Sequence, residues 1–253
     1  MPGMEAIEEL LYVVYRLVFD GTEFFATTLA DTSVGTLVRV PAAGGSPATG
    51  AFGSGLAIDD TCLYVADNAT GVYSVAETEW SLDGRHTGLA DIPLTDHGRE
   101  VAAALRSRLQ GRHFDLVLVS PAARARETCE LCGLGDIARE RADLREWDYG
   151  DYEGLTSAEI QQTRPGWNLW RDGCPGGERA GEVGERADRV IAELRAHGRS
   201  SAIFSHGHML RVLGARWIAL APEHGGSLGL DTAAICVLGA EHGRPILARW
   251  NDD

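Results

Sequence analysis

The sequence predicts an α/β protein: a three-layer α/β/α domain over residues 71–253, preceded by a small β-rich segment over residues 1–70. Three observations carry this. From Glu77 onward, strand-like and helix-like stretches alternate, which is the pattern of a layered α/β domain. FDLVLVS (residues 114–120) and SAIF (201–204) are short apolar runs of the kind that fill buried parallel strands. Residues 1–76, by contrast, carry only two basic residues, Arg16 and Arg39, and read as strands and turns.

Composition narrows the function. An apolar content of 44% in 253 residues supports a packed core and argues against disorder. With 37 acidic against 23 basic residues the net charge is -14, which disfavours nucleic acid and anionic membranes as partners. A small anionic ligand reads only the local field and is still allowed. All 23 basic residues are Arg, so chemistry that needs a Lys, such as a phosphate-loop Lys or a Schiff base, is excluded. Arg remains, and its planar fork suits phosphate.

The five cysteines, Cys62, Cys129, Cys132, Cys174 and Cys236, are odd in number and irregular in spacing, which argues against a disulfide framework. Cys129 and Cys132 form a lone Cys-x-x-Cys within a helical stretch, with no second pair to complete a zinc site. No metal and no cofactor is expected. Glu5, Glu8 and Glu9 precede the apolar run 10–19, the wrong sign for a signal peptide, and the run is too short to span a bilayer. The expectation is a cytoplasmic protein.

The elements follow in order. LVFDGTEFFAT (17–27) and LAIDDTCLYVA (56–66) repeat one pattern: a strand, an acidic turn and a second strand. PAAGGSPATG between them is loop. The period near 40 residues suits a propeller blade. VPAAGGSP and AIDDTCLYVADNATGVYSV resemble repeats of bacterial β-propellers of the NHL type. Closure needs roughly four to eight blades, and this chain has about two. Such a fragment must pack on the C-terminal domain, borrow a partner's strands, which would give the β-rich segment a route to oligomers, or stay poorly ordered; the alternative is an ordinary β-hairpin extension.

A strand at 72–76 opens the second domain. Thr95 caps a helix over 96–110 whose buried stripe is Val101, Leu105 and Leu109. The strand 114–120 ends in Ser120-Pro121, a helix start with Pro in its first turn. A helix over 182–196 has Val183, Ala187, Val190, Ile191 and Leu194 on its apolar side. It leads to the strand 201–204 and a helix opened by Ser205-His206-Gly207-His208. Residues 233–239 and 246–250, joined by a turn at 241–243, form an antiparallel edge pair.

Five strings in this domain share one resemblance. They are ETEWSLDGRHTG (77–88), SPAARARET (120–128), LREWDYGDYEGLT (144–156), WNLWRDGCPGGE (167–178) and SHGH (205–208). In content and order they resemble the histidine phosphatase superfamily, the phosphoglycerate mutase-like fold, in its acid phosphatase and sugar-bisphosphatase branch. The resemblance implies a small phosphorylated substrate or phosphate as ligand, with three residues at the reaction centre. Arg124 would grip the phosphate from a helix N-terminus, where free N–H groups and the helix dipole also favour an anion. Glu146 would give a proton to the leaving oxygen. On composition alone Asp148, Asp151 and Glu153 rival it; the motif selects Glu146. His206 would hydrogen-bond the transferred phosphoryl group. Ser81, Arg85, Thr87 and Gly88 would bind substrate. Arg126 is expected at the surface and His208 at the rim.

The family's nucleophile belongs to an Arg-His-Gly that ends the first strand. Aligned without a gap, these three positions fall on Ser74, Val75 and Ala76. Valine has no lone pair with which to attack phosphorus. The nearby His86 lies inside the Arg-x-Thr-Gly string, at a position the family fills with ordinary residues. Two functions therefore stand side by side: a phosphomonoesterase of sugar-phosphate type, impaired at its nucleophile, and a non-catalytic phosphate-binding or interaction module.

Overall fold

The computed structural model describes residues 70–252 in full and, before them, the backbone of six strands. β1 (Val14–Phe19), β2 (Glu23–Thr28), β3 (Thr36–Pro41) and β4 (Ala48–Ala51) form an antiparallel sheet in that order, and β5 (Leu56–Ile58) pairs with β6 (Leu63–Val65). Both halves of the sequence repeat are thus antiparallel hairpins, with Val18 opposite Phe25 and Ala57 opposite Tyr64. The connecting loop after β3, except at the strand ends, lies outside the described residues.

The larger compact unit comprises Ala69–Gln110 and Phe114–Asp253. Its elements are β7 (Thr70–Ser74), α1 (Glu79–Leu82), α2 (Asp96–Leu109), β8 (Leu116–Val119), α3 (Ala123–Leu131) and β9 (Ala138–Glu140). Then come α4 (Ser157–Thr163), α5 (Leu169–Asp172), α6 (Ala180–His197), β10 (Ser201–Ser205), α7 (Gly207–Trp217), β11 (Ile235–Glu241) and β12 (Arg244–Asp252). The sheet order is β12-β11-β7-β10-β8-β9, with β7, β10, β8 and β9 parallel. β11 runs antiparallel to both β7 and β12, so the C-terminal pair closes one edge.

Side chains alternate across this sheet, as the period-2 geometry of a strand requires. Val72, Leu116, Leu118 and Ile203 pack with Val183, Val190, Leu210 and Leu213 from α6 and α7. Tyr73, Val117, Val119 and Phe204 pack on the other face with Leu105, Leu109 and Ala125 from α2 and α3. Two buried clusters, one per face, make the three layers. Each fully buried Leu or Ile in them contributes about 1.5–3 kcal/mol.

Helix ends follow local chemistry. Thr95 caps α2, its Oγ1 accepting from Gly98 N–H at 2.8 Å and donating to Glu77 at 2.9 Å. Gly198 ends α6 in the left-handed region, at φ 64°.

The first strand of this unit is shifted from the expected 72–76 to 70–74. Its partner dictates this: Thr70–Ser74 pairs residue for residue with Ser201–Ser205. That register has a functional result. Val75 N–H bonds Ser205 O at 2.8 Å and Ser120 N–H bonds Phe204 O at 2.9 Å. Val75, His206 and Ser120 therefore leave the carboxyl ends of three adjacent parallel strands, the place where open α/β sheets bind ligands.

Candidate functional site

A cavity of about 540 Å³ opens at these strand ends. Val75, Arg124, Glu146 and His206 line it, together with Ser81, Arg85, His86, Thr87 and His208. Tyr149, Trp167 and Trp170 supply an aromatic wall.

His206 sits between β10 and α7 and is only 3% exposed. Its Nε2 lies 2.7 Å from Ser120 Oγ. Burial, followed by the charges of Arg124 and Arg186, holds its pKa well below the ordinary value of 6.5, so the ring is neutral. A neutral imidazole here can hydrogen-bond an anion without bringing a charge of its own.

Glu146 closes the N-terminus of α7. Oε1 accepts from the backbone N–H groups of Trp147 (2.8 Å) and Met209 (2.9 Å), and Oε2 from that of His208 (3.1 Å). Burial raises its pKa above the ordinary 4.5; these bonds and the charge of Arg124 act against that rise. The carboxyl therefore holds its proton to a higher pH than a free side chain, as a proton donor needs.

Behind Glu146 stands Arg186. It forks onto Glu178 with two bonds of 2.8 Å and donates to the carbonyls of Asp143 (2.7 Å), Arg145 (2.8 Å) and Glu146 (3.3 Å). These contacts pin the segment that carries Glu146. Sequence reasoning missed this clamp. A signal was present: Arg186 follows Val183 by three positions and so shares its buried stripe on α6, where a cation must find a partner.

Arg124 lies in the first turn of α3 and is 3% exposed. Its guanidinium donates to the carbonyls of Ala90 (2.8 Å), Gly88 (3.1 Å) and Thr87 (3.2 Å). Arg126, two positions on, is exposed and pairs with Glu140 at 3.1 Å.

The expected substrate-binding residues divide. Arg85 lines the cavity, with Nη1 on Gly154 O at 2.7 Å. Thr87 also lines it, its hydroxyl donating to Arg85 O at 3.2 Å. Ser81 lines it too, but its hydroxyl completes the capping box of α1 with Thr78. Gly88 is not part of the wall. It is packed so closely that a Cβ would stand 2.6 Å from both Glu153 Oε2 and Trp147 O. That close approach accounts for a glycine at this position, and its carbonyl accepts from Arg124.

Two further histidines face the cavity. His86 Nδ1 donates to Leu155 O at 2.7 Å, which leaves the lone pair on Nε2. Burial lowers its pKa, against the Leu155 bond and Glu153. His208 Nδ1 lies 2.7 Å from the Tyr149 hydroxyl, and burial, then Arg211 and His86, carry it down to about 3. Among the described residues no group of three or more His, Cys, Asp or Glu side chains is placed to hold a metal ion. Cys129 and Cys132 are buried free thiols in the α2/α3 layer, each pushed up to about 12 by burial.

Residues 76–253 match the family model of the histidine phosphatase superfamily, branch 1. The chain belongs to this superfamily. An acid phosphatase of Mycobacterium tuberculosis is 40% identical over 171 residues, covering 66% of this chain and 84% of that protein. Sedoheptulose 1,7-bisphosphatase of Saccharomyces cerevisiae is 38% identical over 179 residues, covering 58% of this chain and 66% of the yeast protein. Among solved structures, the product of an open reading frame of Mycobacterium tuberculosis superposes with a TM-score of 0.68 at 38% identity, covering 74% of this chain and 98% of that one. The superfamily match begins one residue after Val75. β7, the strand that places Val75 on the cavity wall, lies before the matched residues. Among the described residues no helix is long and apolar enough to cross a membrane.

Proposed function

We propose that this chain is a phosphate-monoester-binding member of the superfamily, of sugar-phosphate phosphatase lineage, whose covalent turnover is disabled at residue 75. The observation that carries this is that Val75 lines the same cavity as Arg124, Glu146 and His206. Arg124 and His206 supply the charge and the hydrogen bond for a phosphate, and Glu146 supplies a proton for the ester oxygen. A covalent route also needs a lone pair to form a new bond to phosphorus as the P–O ester bond breaks. Valine has none, and Ser74, at the family's Arg position, gives its hydroxyl to Asp231 O at 2.6 Å.

Arg124, Glu146 and His206 acting as placed can support hydrolysis of an ester by direct attack of water. The water oxygen would bond phosphorus as the ester P–O bond breaks, the ester oxygen would leave with the Glu146 proton, and the attacking water would pass a proton to a phosphate oxygen, Glu146 being reprotonated from solvent. In a cooperative catalytic unit, loss of the nucleophile costs on the order of a million-fold, about 8 kcal/mol of barrier. A second reading, a binding module that never turns over its ligand, is favoured by the same survival of Arg124 and His206 beside Val75. The break falls where the propeller-like repeats end, in keeping with a fusion that replaced the family's first strand with the last strand of a blade.

The test is a panel of sugar phosphates and p-nitrophenyl phosphate, given to the full chain and to Ser74→Arg/Val75→His. We expect phosphate binding with negligible turnover in the natural sequence, and turnover in the restored one. Rapid hydrolysis by the natural sequence would refute the reading.

A further inference from the structure

We propose that Glu153 is a positioning residue for Arg124, acting through the backbone of residues 87–90. The inference rests on reading the cavity as a phosphate site and says what aims its principal cation.

One peptide unit joins the two side chains. The Thr87 carbonyl accepts from Arg124 Nη2 at 3.2 Å, and the Gly88 N–H of the same peptide donates to Glu153 Oε1 at 2.8 Å. The pattern extends along the loop. Ala90 N–H donates to the same Glu153 oxygen at 3.0 Å, while Ala90 O and Gly88 O accept from Arg124 at 2.8 and 3.1 Å. The loop therefore turns N–H groups toward a carboxylate and carbonyls toward a guanidinium. A peptide whose N–H is bonded to an anion is polarised, and its oxygen becomes a better acceptor.

The loop carbonyls take three of the five N–H donors that a guanidinium carries and fix its plane. The direction of the remaining donors is set by the same carbonyls. Glu153 is the group that holds those carbonyls in place. The start of the loop is anchored separately, through His86 N–H to Leu155 O (3.0 Å) and Gly154 N–H to His86 O (2.8 Å). Removing the Glu153 carboxylate therefore loosens residues 88–90 without detaching the segment.

The experiment uses the full chain, an arginine-specific reagent (phenylglyoxal) and mass readout of each modified peptide. Arg186 is the internal reference, since it is buried and its hydrogen bonds go to Glu178, Met209 and the carbonyls of Asp143, Arg145 and Glu146 and not to residues 87–90. Glu153→Ala is expected to raise labelling at Arg124 severalfold with no change at Arg186. Glu153→Gln keeps a carbonyl oxygen able to accept both N–H groups and is expected to label like the natural sequence. Inorganic phosphate should bind about tenfold more weakly to Glu153→Ala, and Glu153→Gln should recover most of that loss. Unchanged labelling at Arg124 in Glu153→Ala overturns the inference. A parallel rise at Arg186, or a Gln variant that behaves like Ala, also overturns it. Labelling is read without phosphate. If the natural sequence fails to bind phosphate, the phosphate-site reading falls on its own and the labelling still decides the role of Glu153.

Discussion

Ser120 Oγ and His206 Nε2 stand 2.7 Å apart in the core, although 86 positions separate them in the chain. The bond joins the ends of β8 and β10 and fixes the plane of the imidazole at the cavity. Ser120→Ala would leave Nε2 buried without its partner. We expect a stability loss of about 1–3 kcal/mol, read as a lower urea midpoint.

Stability should also fall with acid through the same ring. The folded-state pKa of His206 lies well below its ordinary 6.5, so the unfolded chain takes up the proton first. The folded state is then favoured fully above pH 6.5 and loses stability as pH falls below it, by up to about 1.4 kcal/mol per pH unit for each such group. Glu146, with its pKa raised, works in the opposite sense, losing stability as pH rises through 4.5 toward its folded value. Comparing the natural sequence with His206→Gln isolates the histidine: the variant should show the shallower decline below pH 6.5. Identical slopes would count against a buried neutral His206.

Glu146→Gln keeps the shape and alters the bonding. The amide nitrogen would present N–H groups where one backbone N–H (His208, on Oε2) or two (Trp147 and Met209, on Oε1) now donate. We expect a cost of about 1–3 kcal/mol in chemical denaturation. In a Ser74→Arg/Val75→His background, turnover should fall by about 10²–10⁴, the usual contribution of a general acid.

Arg124→Ala should abolish binding of inorganic phosphate, measured by calorimetry. Arg126→Ala, two positions away on the exposed side of α3, should leave it unchanged. Equal binding in both variants would remove Arg124 from the site.

Intact mass after incubation with a phosphorylated substrate should show no adduct on the natural sequence. The Ser74→Arg/Val75→His protein should carry an acid-labile phosphoryl group. An adduct on the natural sequence would mean that another imidazole has taken over, with His86 the first to examine, because its Nε2 lone pair is set by the Leu155 bond.

Much of this architecture was legible in the sequence because its signals are local. Thr95 announces its cap three residues ahead of the amide it serves. The run LVLV and the strand before His206 announce themselves as buried by lacking any charge. The convergence of Arg124, Glu146 and His206 could be read only through motif resemblance, since no periodicity relates positions so far apart. What escaped was the support: Arg186 on Glu178, Glu153 under the 87–90 loop, and Ser120 on His206. Each is a pair made by tertiary packing, and only Arg186, on the buried stripe of α6, carried a local signal. Gly88, expected at the substrate from the motif resemblance, stands outside the cavity lining, where the close approach of Glu153 and Trp147 leaves no room for a Cβ.

Val75 keeps its backbone bond to Ser205 and lines the cavity with 8% of its surface exposed. The sheet is held by main-chain bonds that every residue type except proline makes alike. Circular dichroism and solubility therefore report on the container and say nothing of the chemistry at this position. A survey that ranked such chains by foldedness would not register which residue stands at position 75; a measurement of bond breaking at phosphorus would.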